Sequence, residues 1–221
     1  YYKTINPKNS DGSRPNTYTC QGKSYAPTID TASSICGNTI TVVDTADTSS
    51  KQFPYGIRLY GENLTANDGI VLAGDYSAQN VNVSSNNITI SRAANAIWLV
   101  GTKNINVSQN TVLFNNSAYS TKDNVFGLRI ENSTNAAINA NTINANHIPY
   151  VQNVIILDKS KGVNIAGNTL TGAKKHGINL TSSSASISAN TISGNKENGI
   201  FCYKNSTMTT NKNRITGNKK Q

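Results

Sequence analysis

Residues 154–201 read VIILDKSKGVNIAGNTLTGAKKHGINLTSSSASISANTISGNKENGIF. Aliphatic runs recur at Val154-Ile-Ile-Leu157, Gly177-Ile-Asn-Leu180 and Gly199-Ile-Phe-Cys202. Between them comes a second alternation, Val163-Asn-Ile165 and Ala185-Ser-Ile187, and then a third, Asn168-Thr-Leu170 and Asn190-Thr-Ile192. Each triplet places an apolar residue at every second position, the period of a strand with one buried face. Three such strands in 22 or 23 residues, separated by Gly, Asn and Ser, make one coil of a solenoid.

Upstream the same phrases continue as Gly127-Leu-Arg-Ile130, Ala96-Ile-Trp-Leu99 and Gly69-Ile-Val-Leu72, so that Ile70, Ile97, Leu128, Ile155, Ile178 and Ile200 stand 27, 31, 27, 23 and 22 residues apart. A single coil cannot bury its apolar face, but stacked coils share a continuous core. Successive strands then pair in parallel about 4.8 Å apart, and equivalent positions form ladders. The Asn before each third strand (Asn86, Asn110, Asn141, Asn168, Asn190) is expected at a bend, bonded to the coils above and below and tolerant of left-handed geometry. Parallel crossovers are overwhelmingly right-handed, which sets the expected winding. The fold class is all-β, a single-stranded parallel β-helix of six to seven coils over residues 38–221, after a Tyr-, Pro- and Asn-rich lead-in over 1–37.

The Gly-Ile-x-Leu and Asn-Thr-Ile-x-Gly phrases resemble the right-handed β-helix repeats of pectate-lyase-like proteins, over roughly residues 56–217. That group includes polysaccharide lyases, mannuronan epimerase-like enzymes, some glycoside hydrolases and phage tailspikes. The resemblance implies a secreted, periplasmic or cell-surface protein whose partner is an acidic polysaccharide or cell-surface glycan, with a trimer expected if it is tailspike-like. It does not extend to a catalytic signature: the paired aspartates of polygalacturonases, the Asp-Pro-His-Asp of alginate epimerases and an acidic calcium cluster are all absent from the sequence. The alternatives are a non-catalytic adhesin, tailspike or receptor-binding module, and a structural fragment of a larger surface protein.

Composition bounds the remaining choices. Hydrophobic residues make up 36% of the chain and charged residues 14%, so Asn, Ser, Thr and Gly supply most of the polarity. Those residues compete with helical pairing, and no run approaches the ~20 apolar residues of a membrane helix. The chain opens on Tyr1-Tyr2-Lys3 without a signal-peptide pattern, as a mature product or an excised piece would. It ends on Lys219-Lys220-Gln221 without an obvious cap, and its last repeat gains or loses a residue between Met208 and Ile215. The net charge of +9 is uneven. Residues 1–158 balance ten Lys/Arg against ten Asp/Glu, whereas residues 159–221 hold ten Lys/Arg and one acid, Glu197. Such a patch attracts anions. Lysines scattered through turns without interleaved aromatics argue against nucleic acid as that partner. Cys20 and Cys36 are placed to close a small disulfide loop, and Cys202 falls at an inward position.

With Ile and Leu pointing inwards on the first strand, the alternate residues form two outward ladders. One runs Arg58, Val71, Trp98, Arg129, Ile156, Asn179, Phe201, and the other Tyr60, Ala73, Val100, Glu131, Asp158, Thr181, Tyr203. Aromatic faces pack on sugar rings, and Arg pairs bidentately with carboxylates. Glu131 and Asp158 fall at one position on neighbouring coils, close to the roughly 5 Å separation of retaining-glycosidase carboxylates. They are the expected acid and base or nucleophile, with Arg129 and His176 as catalytic partners. Trp98, Tyr60, Arg58, Lys174, Lys175 and Tyr203 are the expected substrate-binding residues. No cofactor motif is present, and the pair sharing a calcium ion has no motif to support it. The turn-rich segments 44–55 and 115–125 are expected to be loops beside this groove.

Overall fold

The computed structural model describes residues 18–20, 23–25, 33–42, 55–60, 78–91, 95–115 and 125–220, with backbone alone for 18–20, 23–25 and Tyr60. The chain divides into two compact units between Thr31 and Ala32. In the first, Tyr18–Cys20 pairs antiparallel with Lys23–Tyr25. The second is a parallel β-helix.

Its coils contribute strands to three long parallel sheets. Sheet one takes Tyr55–Tyr60, Asn95–Val100, Val125–Glu131, Val151–Asp158, His176–Thr181 and Ile200–Tyr203. Sheet two takes Ser33–Cys36, Val81–Ser84, Asn106–Ser108, Ala137–Asn139, Val163–Ala166, Ser184–Ser188 and Thr207–Asn211. Sheet three takes Thr39–Val42, Asn87–Ile90, Thr111–Phe114, Thr142–Asn144, Thr169–Thr171, Thr191–Ser193 and Arg214–Thr216. The three-strand coil expected from the repeat is therefore the building unit. The lead-in is shorter than the sequence suggests, because Ser33–Cys36 already pairs with Val81–Ser84.

The alternation places one aliphatic column after another in the core. In a single coil Ile155, Leu157, Val163, Ile165 and Leu170 are all 0–1% exposed. Each such side chain is worth about 1.5–3 kcal/mol relative to an exposed one. At the entrance to sheet one, small residues meet the aliphatics of sheet three. A Cβ on Gly177 would lie 2.7 Å from Gly199 O and closer still to Ile192 Cγ2.

The corner between sheets two and three is closed by a column of carboxamides. Asn38, Asn86, Asn110, Asn141, Asn168 and Asn190 each donate Nδ2–H to Oδ1 of the next asparagine at 2.9–3.0 Å, the last reaching Asn213. Asn141 Nδ2 also donates to Val107 O at 2.9 Å. The left-handed geometry falls one residue earlier than expected. Gly37, Ser85, Gln109, Ala140, Gly167, Ala189 and Lys212 have φ of 53–68°, which frees each following amide to face inwards. A second column, Thr102–Ser133–Ser160–Ser183–Ser206, links backbone N–H to hydroxyl at 3.0–3.2 Å where sheet one turns into sheet two.

Three sequence expectations need correction. The sheet-one neighbour of Ile97 is Ile57, with Arg58 opposite Trp98 and Tyr60 opposite Val100. Gly69–Leu72, with Val71 and Ala73, lies outside the described residues. The Tyr55–Tyr60 run carries the same inward alternation, so an even repeat length misplaces this coil. Among the described residues Cys36 has no disulfide partner, and its Sγ lies 3.0 Å from Ser84 Oγ. The Cys20 side chain and most of segments 44–55 and 115–125 lie outside the described residues. Cys202 sits on the inward column opposite Leu180 but is exposed, because no described coil covers the last strand. Finally, Thr207–Asn211 pairs one-to-one with Ser184–Ser188, so the register holds from Met208 to Ile215. The extra residue enters at Lys204-Asn205, both with positive φ.

Candidate functional site

The outer face of sheet one gathers most of the candidate residues. Residues 57–59, 97–99 and 128–130 pair without offset, so Arg58, Trp98 and Arg129 stand side by side on consecutive coils. The two guanidinium carbons lie 4.4 Å (Arg58) and 4.8 Å (Arg129) from the Trp98 ring centroid. Arg58 also lies over Tyr55, and Arg129 over Phe126, each at 5.4 Å. Such contacts hold planar cations at an aromatic face.

Glu131 joins this cluster from the adjacent column. Its carboxylate accepts Arg129 Nε–H at 2.6 Å and Trp98 Nε1–H at 3.1 Å, and it forms an ion pair with the same arginine. Asp158 is the register partner of Glu131, as the repeat implied. Among the described residues no side chain hydrogen-bonds the Asp158 carboxylate. The two acids therefore differ: one is engaged in a network, and the other is half-exposed on the next coil. No group of three His, Cys, Asp or Glu side chains among the described residues is placed to hold a metal ion.

His176 is not brought to this pair. It stands opposite Asn153, five residues before Thr181, the partner of Asp158, and hence about 16 Å along the strand. It is buried and stacked on Phe201 at 4.5 Å. The Asn198 backbone N–H donates to Nδ1 at 3.3 Å, which leaves the ring proton on Nε2, 3.4 Å from Glu197 Oε2. Burial holds its pKa below the usual histidine range, Glu197 opposes that shift, and Lys175 and Lys220 add to it.

Lys174 and Lys175 precede His176 at the corner between sheets three and one, both exposed. Tyr203 is 52% exposed and stacks on Phe201, and Lys204 Nζ lies 5.5 Å from its ring. Tyr55 and Phe126 join the cluster although neither stands on the two outward ladders. Their signal was positional: Tyr55 precedes Gly56 as Asn95 precedes Ala96 and Phe126 precedes Gly127. There is no helix among the described residues long and apolar enough to cross a membrane.

No curated protein matches the chain. Among solved structures it is similar to full-length tailspike protein 2 from Escherichia coli O157:H7 bacteriophage CAB120, at 15% identity and TM-score 0.46, over 81% of this chain and 27% of that one. It is also similar to the tailspike protein 2 enzymatically active domain of bacteriophage CBA120, at 12% identity and TM-score 0.37, over 82% and 34%. The chain thus spans about a third or less of either. A family model described as a right handed beta helix region matches residues 68–221, and with the parallel sheets above it shows that this chain belongs to the right-handed β-helix family.

Proposed function

We propose that this protein is an extracellular or envelope-associated β-helix that binds an acidic polysaccharide along the outer face of sheet one. The observation that carries the reading is the cluster of Arg58 and Arg129 on the Trp98 ring, extended by Tyr55 and Phe126. The rings hold the guanidinium groups at the sheet face, and guanidinium groups favour the carboxylate of a uronate. Glu131 is occupied by Arg129 and Trp98, so its role is to position the arginine. Recognition fits this arrangement better than turnover, and any hydrolytic, lyase or epimerase step would fall to Asp158.

The test is a panel of uronate-containing polysaccharides, with binding followed by calorimetry and turnover by reducing ends and unsaturated-product absorbance. Binding that Trp98→Ala weakens about tenfold or more supports the reading. Absence of binding to every uronate polymer overturns it. Turnover abolished by Asp158→Asn, with binding retained, would make the protein an enzyme.

A further inference from the structure

The lysines excluded from the sheet-one cluster are arranged rather than scattered. In sheets two and three, Arg214 is the single charged residue among the described strands. Apart from Arg214, charge among the described residues of the β-helix lies on sheet one and the corners. Among the described residues the corner leading from sheet three to sheet one holds Lys174, Lys175, Lys196, Lys219 and Lys220, with Glu197 as its acid.

Backbone pairing sets these lysines in register. Lys196 N–H donates to Ala173 O at 3.0 Å and Lys219 N–H to Asn195 O at 3.2 Å, so Lys174, Lys196 and Lys219 occupy one position on three successive coils. Beneath them, Asn195 Oδ1 accepts Ala173 N–H, and Asn218 Oδ1 accepts Asn195 N–H and Nδ2–H, at 2.8–3.0 Å. This second carboxamide column fixes the corner. All three lysines are exposed. Neither Arg129 nor Glu131 belongs to this corner, and Glu197 turns one oxygen towards His176.

We infer that the Lys174–Lys196–Lys219 column is a track for a linear acidic polysaccharide lying parallel to the helix axis, an assignment that rests on the glycan-binding reading above. One lysine per coil repeats at a backbone spacing of about 4.8 Å. A polymer with one carboxylate or sulfate per sugar presents charge at a repeat of the same order. Residues 172–175, 194–199 and 217–220 include no aromatic side chain, so the column itself has no ring on which a base could stack. That favours a glycan over nucleic acid. Single-stranded nucleic acid needs ring faces on which bases stack. Here His176 and Phe201 stack on each other at 4.5 Å, Tyr203 stacks on Phe201, and Lys204 lies over Tyr203.

The experiment compares the full chain with K174Q/K196Q/K219Q and with Trp98→Ala. Affinity for polygalacturonate, a sulfated glycan and single-stranded DNA is measured over a range of salt. Glutamine keeps a long polar side chain at exposed positions, and circular dichroism and thermal melting confirm that each variant is folded. The expected result is tenfold or greater weakening of glycan binding in the triple variant at low salt, with a log K against log salt slope shallower by about two to three. Carboxylate and sulfate probes separate the two sources of negative charge. Glycan binding unchanged in the triple variant but lost in Trp98→Ala overturns the track and leaves the sheet-one reading standing. Absence of glycan binding by the unmodified chain overturns both. DNA bound as tightly as glycan, with the same lysine dependence, overturns the assignment to a polysaccharide.

Discussion

Trp98 Nε1–H donates to Glu131 Oε2 at 3.1 Å across two neighbouring coils, while Arg129 on Glu131's own strand holds the other oxygen. An indole donor and a guanidinium thus share one carboxylate. Removing its charge disturbs both. Glu131→Gln is expected to destabilise the fold by about 1–2 kcal/mol through loss of charge-assisted bonds in a half-buried setting. Asp158→Asn, at the register position beside it, should stay within about 0.5 kcal/mol. Urea unfolding of the two variants measures the difference, and equal effects would contradict the network.

Asn141→Leu tests the carboxamide column. The substitution removes the acceptor of Asn110 N–H and Nδ2–H and the donor to Val107 O, all in the core. Buried polar groups left unpaired cost about 1–3 kcal/mol each, so a loss of at least about 3 kcal/mol is expected. Thermal or chemical unfolding reads it directly.

Gly177→Val tests the packing at the entrance to sheet one. The added side chain meets Gly199 O and Ile192 Cγ2, and neither backbone nor a fully buried isoleucine yields easily. Destabilisation of about 2–4 kcal/mol is expected. An unchanged melting temperature would show that this coil shifts freely.

His176 gives the fold a pH dependence with a definite sign. Burial lowers its folded pKa below the unfolded value of 6.5. The unfolded chain therefore takes up the proton first as pH falls. Stability from neutral His176 is fully present above about pH 6.5, and it declines below that value until the lower folded pKa is passed. The urea midpoint should fall between about pH 7 and about pH 5, and His176→Gln should flatten that part of the profile. A slope unchanged in the variant would assign the effect to other groups.

The repeat unit, its three strands and the inward columns were legible because each residue type follows directly from burial on alternate positions. Ile155, Ile178 and Ile200 could be stacked by counting, and Glu131 was matched to Asp158 in the same way. Counting failed where coil length changed. Ile57 and Ile97 are direct partners 40 residues apart, and no periodicity reveals which of two similar runs enters the sheet. It failed also for His176, since its position at the strand entrance carries no sign that Asn198, Glu197 and Phe201 would surround it. Side-chain pairing across coils decides the site, and a linear pattern gives position without orientation. That is why Glu131 and Asp158 read as equivalent carboxylates in the sequence and are not in the structure.

The asparagine column has a direction. In every link one Nδ2–H points to the oxygen of the asparagine that follows in the chain. A coil leaving the ribosome thus holds amide hydrogens whose acceptors have not yet been synthesised. Each turn is completed by its successor, so ordering during translation trails synthesis by about one coil and spreads from the N-terminal side. A pause within one repeat would leave a half-satisfied edge waiting for its own next turn, and the carboxamide that arrives supplies the register check for the coil before it.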